Sequence, residues 1–366
     1  MQKKVSIGLL LPSSTILPMS KEFETGFKKS ISNIKDEWEV EIHPEFIAQG
    51  SAKRVEEALD KFFHYHQVDL VSGIISNRVA MMVSDKFQKN KKPIVINNIG
   101  EHLPDASKFN EYIFLNSTNT WQQIWSLSNW AVKKFGKKGM FVSGMYDAGY
   151  SFMKMMSDGM QAANPNAEIP YSVAPLDDSK VYSQVDRVFE HIEMFKPDFV
   201  FAFFCGTEAT QFLNGYVSRG YHETLPLLSL PFLLEEFNTI ETPITIYTSL
   251  NSTVELELGM PYTEAVSVFN ELGQQTGNAV AEGLKQTDTT SLVESFKNAI
   301  EKSHVNIAKV GKNANIYLIE NKHYGNKNDI RKQIQEKLPT IQNDSPQFLA
   351  AISEFSSSWE NPYLGI

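Results

Sequence analysis

Two stretches of this chain carry the same pattern. The first is Val68-Asp69-Leu70-Val71-Ser72-Gly73-Ile74-Ile75-Ser76-Asn77. The second is Pro197-Asp198-Phe199-Val200-Phe201-Ala202-Phe203-Phe204-Cys205-Gly206-Thr207-Glu208. In each, a helix-like segment ends just before an aspartate, an apolar run of strand length follows, and small polar residues open the next helix. An unbroken apolar run suits a strand covered on both faces, which is the parallel strand of an α/β sheet. The repetition suggests two similar lobes, each with its own sheet.

The surrounding sequence keeps the same rhythm. Val5–Leu11 reads as a buried first strand. Phe23, Phe27, Ile31 and Ile34, at steps of three or four, mark a helix. Trp38–Ile47 looks extended. Val55, Ala58, Leu59, Phe62 and Phe63 form an amphipathic helix face with Ser51 as its N-cap. Val79, Met82, Val83 and Phe87 mark the helix after the first quoted strand, and Pro93–Asn97 is another strand. A second series runs through a helix over Thr120–Phe135, a strand at Met140–Ser143, a helix over Tyr150–Ala162 and a strand at Ile169–Val173. A helix marked by Val181, Val185, Val188, Phe189, Ile192 and Phe195 leads into the second quoted strand. Beyond it come a helix over Thr207–Tyr216, a strand at Leu225–Leu230 and a short helix to Phe237. Alternation of this kind implies parallel strands with helices on both faces.

From Ile244 to Ser303 there is one strand, Ile244–Leu250, and then mostly helix. One strand is too few for a third α/β domain, so this section completes a lobe begun earlier. Asn315–Glu320 reads as a strand, and the tail after Asn343 as irregular.

The 366 residues suit two domains of ordinary size, and 42% apolar with 21% charged residues is a globular composition. The formal charge of −9 argues against a nucleic-acid partner, which calls for clustered Lys and Arg. The single cysteine, Cys205, excludes an intramolecular disulfide and a multi-cysteine zinc site. Met1-Gln2-Lys3-Lys4 ahead of Val5–Leu11 imitates a signal peptide, but Pro12 ends the apolar run early and no small-residue cleavage site follows closely. No export signal is therefore read in this sequence. No stretch reaches the roughly 18–20 apolar residues of a membrane-spanning helix.

Several catalytic signatures are missing. There is no Gly-x-x-x-x-Gly-Lys-Ser/Thr loop, no Gly-x-Gly-x-x-Gly after the first strand and no Gly-x-Ser-x-Gly elbow. His64 and His66 would point to different sides of a helix, so no metal centre is expected there. Cys205 ends a buried-looking strand with no base to activate it, which suits a packed thiol. With no nucleophile, base and orienting group in one set, neither enzymatic activity nor a cofactor is expected.

Open α/β sheets take ligands beyond the carboxyl ends of their strands, where helix N-termini also favour negative groups. The residues at those ends are small and polar: Ser13-Ser14, Ser76-Asn77, Asn97-Asn98, Tyr146-Asp147, Cys205-Gly206-Thr207 and Ser229. Singly, each is also an ordinary cap or turn residue; as a set they favour a polar-lined cleft. Tyr146 suits an aromatic wall, and Trp121 suits either a wall or the core.

Read together, these segments resemble the type I periplasmic binding proteins, in the branch that binds Leu, Ile and Val for ABC transporters. The resemblance is carried by Ile7-Gly-Leu-Leu-Leu-Pro12, Glu22-Phe-Glu-Thr-Gly-Phe27, Gly50-Ser-Ala-Lys-Arg-Val-Glu-Glu-Ala-Leu59, Val68–Ser76, Lys92-Pro-Ile-Val-Ile-Asn97, Gly149 and Lys196-Pro-Asp-Phe-Val-Phe201, over roughly residues 5 to 320. It implies two Rossmann-like lobes with parallel sheets joined by three crossover segments, placed near Leu115–Thr118, Leu250–Thr253 and Lys309–Asn315. Lobe 1 would be 1–116 plus 252–310, and lobe 2 would be 117–251 plus 311–366. It further implies a small-molecule ligand, an amino acid or other small carboxylate, bound in the interlobe cleft by lobe closure. An ABC permease in the membrane would be the partner, the location periplasmic and the protein a monomer. A ligand-sensing regulator on the same fold, working in the cytoplasm, is the alternative that the missing export signal raises.

By the same resemblance, Ser76 and the backbone from Asn97 to Gly100 would hold a ligand carboxylate. Ser13, Asn77 and Asn98, from the reading of the strand ends, would stand beside them. Tyr146, Asp147, Phe204, Cys205, Ser229 and Phe232 would line the second lobe. The sequence departs from the family in two places. Ala148 stands where a tyrosine usually precedes Gly149, and only Asp147 and Glu101 offer themselves as partners for a ligand ammonium.

Overall fold

The computed structural model describes residues 2–14, 17–179, 182–234, 237–252, 255–261, 267–286, 291–302, 307–308, 315–326, 329–342 and 344–354. In chain order the first elements are β1 (Lys3–Leu11), α1 (Met19–Ile31), β2 (Trp38–Phe46), α2 (Ala52–Asp60), β3 (Leu70–Ile74), α3 (Asn77–Met82), α4 (Ser84–Asn90), β4 (Ile94–Asn98) and β5 (Ile113–Ser117). They are followed by α5 (Thr120–Phe135), β6 (Gly139–Ser143), α6 (Phe152–Ala163), β7 (Tyr171–Val173), α7 (Arg187–Phe195), β8 (Phe199–Phe203), α8 (Gly206–Ser218), α9 (Tyr221–Thr224), β9 (Leu227–Ser229), α10 (Pro231–Leu234) and β10 (Ile244–Ser252). The chain ends with α11 (Val268–Lys285), α12 (Leu292–Lys302), β11 (Ile307–Ala308), β12 (Asn315–His323), β13 (Ile330–Leu338) and α13 (Pro346–Glu354).

These elements make two compact units. The first takes Met1–Thr118 and Glu264–Asn313; the second takes Asn119–Thr263 and Ala314–Ser358. The sheet of the first unit runs β11-β5-β4-β3-β1-β2, with β1 to β5 parallel and β11 antiparallel to β5. The sheet of the second runs β13-β12-β10-β9-β8-β6-β7, with β6 to β10 parallel and β12 antiparallel to β10. Each unit therefore has the doubly wound order in which the first strand lies between the second and third. The antiparallel strand β12 stands in the second sheet where β11 stands in the first. Of the expected crossovers, Leu115–Thr118 and Leu250–Thr253 include the ends of β5 and β10. Thr253 and all of Lys309–Asn315 but its last residue lie outside the described residues.

The apolar runs become central strands because both faces are covered. Every residue of β3, β4, β5, β6 and β8 is buried. β2 alternates instead, as an edge strand with one wet face does. One face of the first sheet carries a core of Val55, Leu59, Phe62, Val79 and Phe87 from the helices against Val71, Ile94 and Ile96 from the strands. The corresponding core of the second joins Val188, Phe189, Phe212 and Tyr216 to Met140, Val200 and Leu227.

On the other face of the first sheet, α1 meets α11, which comes from far later in the chain. The two helices touch at glycine. A Cβ on Gly26 would lie 2.1 Å from the Asn270 carbonyl oxygen, and one on Gly273 would lie 2.2 Å from that of Phe23. Any side chain at either position would push the backbones apart. A polar chain ties the same helix to the sheet. Thr276 Oγ1 donates to Asn97 Oδ1 at 2.6 Å, Asn116 Nδ2 to the same oxygen at 3.0 Å, and Asn97 Nδ2 to Ser72 Oγ at 3.2 Å. All four side chains are buried.

In the second unit α5 is buried from Thr120 to Val132 without a polar face. Trp121 is 1% exposed, and its ring lies 4.7 Å from that of Phe348 in α13. Trp121 is thus core. The tail differs from the irregular segment expected of it. Ser345 accepts the Phe348 N–H at 3.2 Å, Pro346 takes the first helical position, and the helix lays Phe348 on Trp121. Val181, expected in the helix before β8, lies outside the described residues; the described helix there starts at Arg187.

Candidate functional site

The carboxyl ends of the parallel strands bring the sequence-predicted residues to one edge of each sheet, and each unit is taken by itself. In the first, β1 leads to Ser13, which stays exposed and whose N–H donates to the Ala48 carbonyl at 2.6 Å. β3 leads to Ser76, the N-cap of α3, whose hydroxyl accepts the Val79 N–H at 3.1 Å. β4 leads into the loop Ile99-Gly100-Glu101-His102.

That loop is held on several sides. Asn98 Nδ2 donates to Asn77 Oδ1 at 2.8 Å and to the Ile75 carbonyl at 3.2 Å, while its Oδ1 accepts the Gly100 N–H at 3.0 Å. Asn77 Nδ2 donates to the His102 carbonyl at 2.8 Å, and Thr118 Oγ1 to the Ile99 carbonyl at 2.8 Å. Asn77, Asn97 and Asn98 are fully buried, and their amide groups serve the unit's own framework. Glu101 is equally buried, yet neither of its carboxylate oxygens has a hydrogen-bond partner among the described residues. His102 Nδ1 lies 3.8 Å from Glu101 Oε1, too far for a hydrogen bond.

In the second unit, β6 ends at Ser143, and the chain turns through Tyr146–Gly149 before α6. Tyr146 and Asp147 are half-buried there. From β8, Phe204 turns inward and stacks on Phe212 with ring centroids 4.9 Å apart, so it is core. Cys205 is half-buried, in no disulfide, at the N-cap of α8. Ser229 is 1% exposed and donates to the Ala202 carbonyl at 2.7 Å, within the sheet. Phe232, in α10, is half-buried.

A residue outside the predicted set completes this edge. Glu208, in the first turn of α8, is buried, and its Oε1 accepts the Ser183 N–H at 2.5 Å. Ser183 Oγ in turn accepts the Met145 N–H at 2.9 Å, which ties Glu208 to the turn carrying Tyr146 and Asp147. Burial pushes the Asp147 carboxyl from its ordinary 3.8 up to about 7, and the charge of Glu208 adds to the rise. Burial also raises Glu208, against the hydrogen bonds from Ser183 that favour its charged form. Tyr146 is raised by burial and then by Glu208. Asp147 has no hydrogen bond or ion pair among the described residues. The sequence signal for Glu208 was its place one turn past a strand end, in the Gly206-Thr207-Glu208 that closes the second quoted stretch.

Two buried or half-buried acids, one of which raises the other, can accept a cation or hold a proton between them. No group of three or more His, Cys, Asp or Glu side chains among the described residues could hold a metal ion. His66 stacks on His43 with centroids 4.2 Å apart, while His64 is exposed. No helix among the described residues is long and apolar enough to cross a membrane.

The doubly wound sheets with polar strand ends place this protein in a class with many solved structures. An ABC transporter substrate-binding protein from Sphaerobacter thermophilus superposes with a TM-score of 0.67 at 17% identity, over 93% of this chain and 99% of that one. A solute-binding protein of an ABC transporter from R. palustris, in complex with benzoate, gives 0.66 at 17% identity, over 93% and 98%. The branched-chain amino acid transporter substrate-binding protein LivJ from Streptococcus pneumoniae, in complex with isoleucine, gives 0.61 at 13% identity, over 92% and 100%. These likenesses are of fold. The sequence itself matches the model of the periplasmic binding protein family over residues 4–309, and the chain belongs to that family. A search of curated proteins gave no match.

Proposed function

We propose that this protein is the solute-binding component of an ABC-type importer, and that its solute is a small molecule bearing an ammonium group, an amino acid in the first instance. Binding proceeds by closure of its two lobes, and a membrane permease reads the closed form. The protein works outside the cytoplasm as a monomer and catalyses no reaction. Family membership supports the receptor role. The observation that carries the ammonium is the pair Asp147 and Glu208 at the strand ends of the second unit, where the charge of Glu208 adds to the rise that burial gives Asp147. A benzoate offers such a pair no positive nitrogen; an amino acid does.

A thermal-shift screen of the full chain against amino acids, benzoates and other small acids tests this reading, because a ligand of the folded state stabilises it by mass action. The expected result is a rise in Tm with one class of amino acid and none with benzoate. Stabilisation by benzoates alone would overturn the ammonium, and no stabilisation by any compound would overturn the receptor role. Native mass spectrometry of protein purified without refolding would show any solute carried from the host.

A further inference from the structure

We propose that Glu208 is the positioning residue of the strand-end edge of the second unit: it fastens the turn that carries Tyr146 and Asp147, and it acts on the solute through Asp147. This rests on the reading above and deepens it by dividing the work of the two acids. Every residue it invokes belongs to the second unit.

Three connections meet at the Glu208 carboxylate. Glu208 itself stands in the first turn of α8, just after β8. Ser183 stands in the connection after β7, where it forms an antiparallel bridge with Leu176. Met145 stands in the connection after β6. In the sheet, β8, β6 and β7 are neighbours in that order, so one side chain ties together the carboxyl ends of three adjacent strands. Glu208 Oε1 accepts the Ser183 N–H at 2.5 Å, and the Ser183 hydroxyl also donates to the carboxylate. The same hydroxyl oxygen accepts the Met145 N–H at 2.9 Å. Donors thus run in one direction, from the turn to the acid, and bonds of this kind are strongest to an ionised carboxylate.

A glycine admits the acid. A Cβ on Gly144 would lie 2.3 Å from Glu208 Oε2 and 3.2 Å from Ser183 Oγ. One carboxylate oxygen therefore meets Ser183, the other meets the backbone at Gly144, and the residue is 8% exposed. Asp147 is placed differently. It is half-buried on the turn that Glu208 holds, and it has no hydrogen bond or ion pair among the described residues. Charge links the two acids. Burial raises Asp147, and Glu208 adds to the rise. Two further ionisable groups face this edge. Burial raises Glu208, the Ser183 bonds oppose that rise, and Asp177 adds to it. Tyr146 is raised by burial and then by Glu208. Glu208 therefore governs where Asp147 stands and the pH at which it ionises.

The test uses the full chain and the variants Glu208→Gln, Glu208→Ala and Gly144→Ala. Glutamine keeps an acceptor for the Ser183 N–H and loses the charge. The alanine methyl at 144 keeps the charge and displaces the carboxylate, while alanine at 208 removes both. In the empty protein, the Met145 amide is expected to exchange its hydrogen about tenfold faster or more in Glu208→Ala and Gly144→Ala, as loss of a hydrogen bond to a charged group gives. In Glu208→Gln that amide should stay protected, and carbon NMR should show the midpoint of the Asp147 carboxyl falling. Calorimetry with L-leucine, L-phenylalanine, L-glutamate and L-lysine across a pH series reads the same division in binding. For those amino acids that bind, Glu208→Gln should move the pH at which affinity levels off downward. Gly144→Ala should weaken binding by about tenfold or more at every pH, as a displaced contact does. Unchanged Met145 exchange in both alanine variants would overturn the proposal. So would a Glu208→Gln variant that loses affinity at every pH as Asp147→Asn does, because Glu208 would then be a solute contact itself. Binding by none of the four would overturn the amino-acid reading, and the Met145 and Asp147 measurements would still decide the positioning role. If an alanine variant does not fold, the Asp147 midpoint in Glu208→Gln decides: no fall overturns the proposal.

Discussion

Asp69 and Asp198 do the same work in the two units. Asp69 Oδ2 accepts the backbone N–H of Ser6 at 2.9 Å, and Asp198 Oδ2 accepts that of Lys138 at 2.9 Å. The two backbones repeat the likeness: Asp69 N–H donates to the Ser6 carbonyl and Asp198 N–H to that of Lys138, both at 2.8 Å. Each aspartate follows a helix that ends on a left-handed residue, Gln67 with φ 53° and Lys196 with φ 48°. Each thereby fixes the start of the third strand of its unit against the first.

Replacing either aspartate by alanine leaves a backbone donor to water and removes one charge-assisted bond. Asp69→Ala and Asp198→Ala should each cost about 1 kcal/mol. Because the two lie in different units and share no partner, the double variant should show the sum. Chemical denaturation of the three variants checks this.

Gly26 and Gly273 are tighter constraints. An alanine methyl at either would overlap a carbonyl oxygen of the opposite helix, at 2.1 Å and 2.2 Å. The helices must separate, and the core beneath loses contact. Gly26→Ala and Gly273→Ala should each destabilise by about 1–3 kcal/mol, read as a fall in Tm.

The buried amide at the centre of the first unit should be costly to remove. Asn97→Ala would leave Thr276 Oγ1 and Asn116 Nδ2 without the oxygen that accepts from both. A loss of about 2–4 kcal/mol is expected from the orphaned groups together with the cavity. Asn97→Asp retains the acceptor but adds a buried charge, and should lower Tm as well.

Acidity gives opposite signs for stability and for binding. The Asp147 carboxyl sits at about 7 in the folded protein against an ordinary 3.8. Between those values the folded state keeps a proton that the unfolded chain has released. Its contribution to stability is therefore greatest at low pH and falls as pH rises from about 4 to about 7. Glu208, raised as well, acts in the same sense. A cationic solute binds the ionised form, so its affinity should rise up to tenfold per pH unit below about 7 and level off above it. Asp147→Asn should flatten both curves. Melts and calorimetry from pH 5.5 to 8.5 measure them.

The sequence made some of this legible and left some hidden, for physical reasons. Buried parallel strands announce themselves as apolar runs, and the paired aspartates mark where two of them begin. β13 has no such signature, since at the sheet edge only Ile334 and Leu338 are buried and the rest is half-buried or exposed. α13 was written in Ser345-Pro346, a cap and a first-turn proline, but a short helix among serines has little periodicity to show. At the candidate site, composition identified polar strand ends without saying what each side chain would bond. Asn97, Asn98 and Ser229 turned out to face their own unit's framework, and Glu208 became visible only through Ser183. Glu101 was considered for its charge; its burial beside His102 is a fact of three dimensions.

One consequence of the fold concerns how the chain emerges during synthesis. α1 is complete by residue 31, but its partner α11 begins at residue 268. Through all the intervening length, the glycine-bearing face with Phe23 and Phe27 has no cover. The second unit waits longer still, because β12, the neighbour of β10, starts at residue 315. The second half therefore finishes after the first. A nascent chain halted before residue 268 would present two unfinished sheets to its surroundings, and a chaperone would meet both at once.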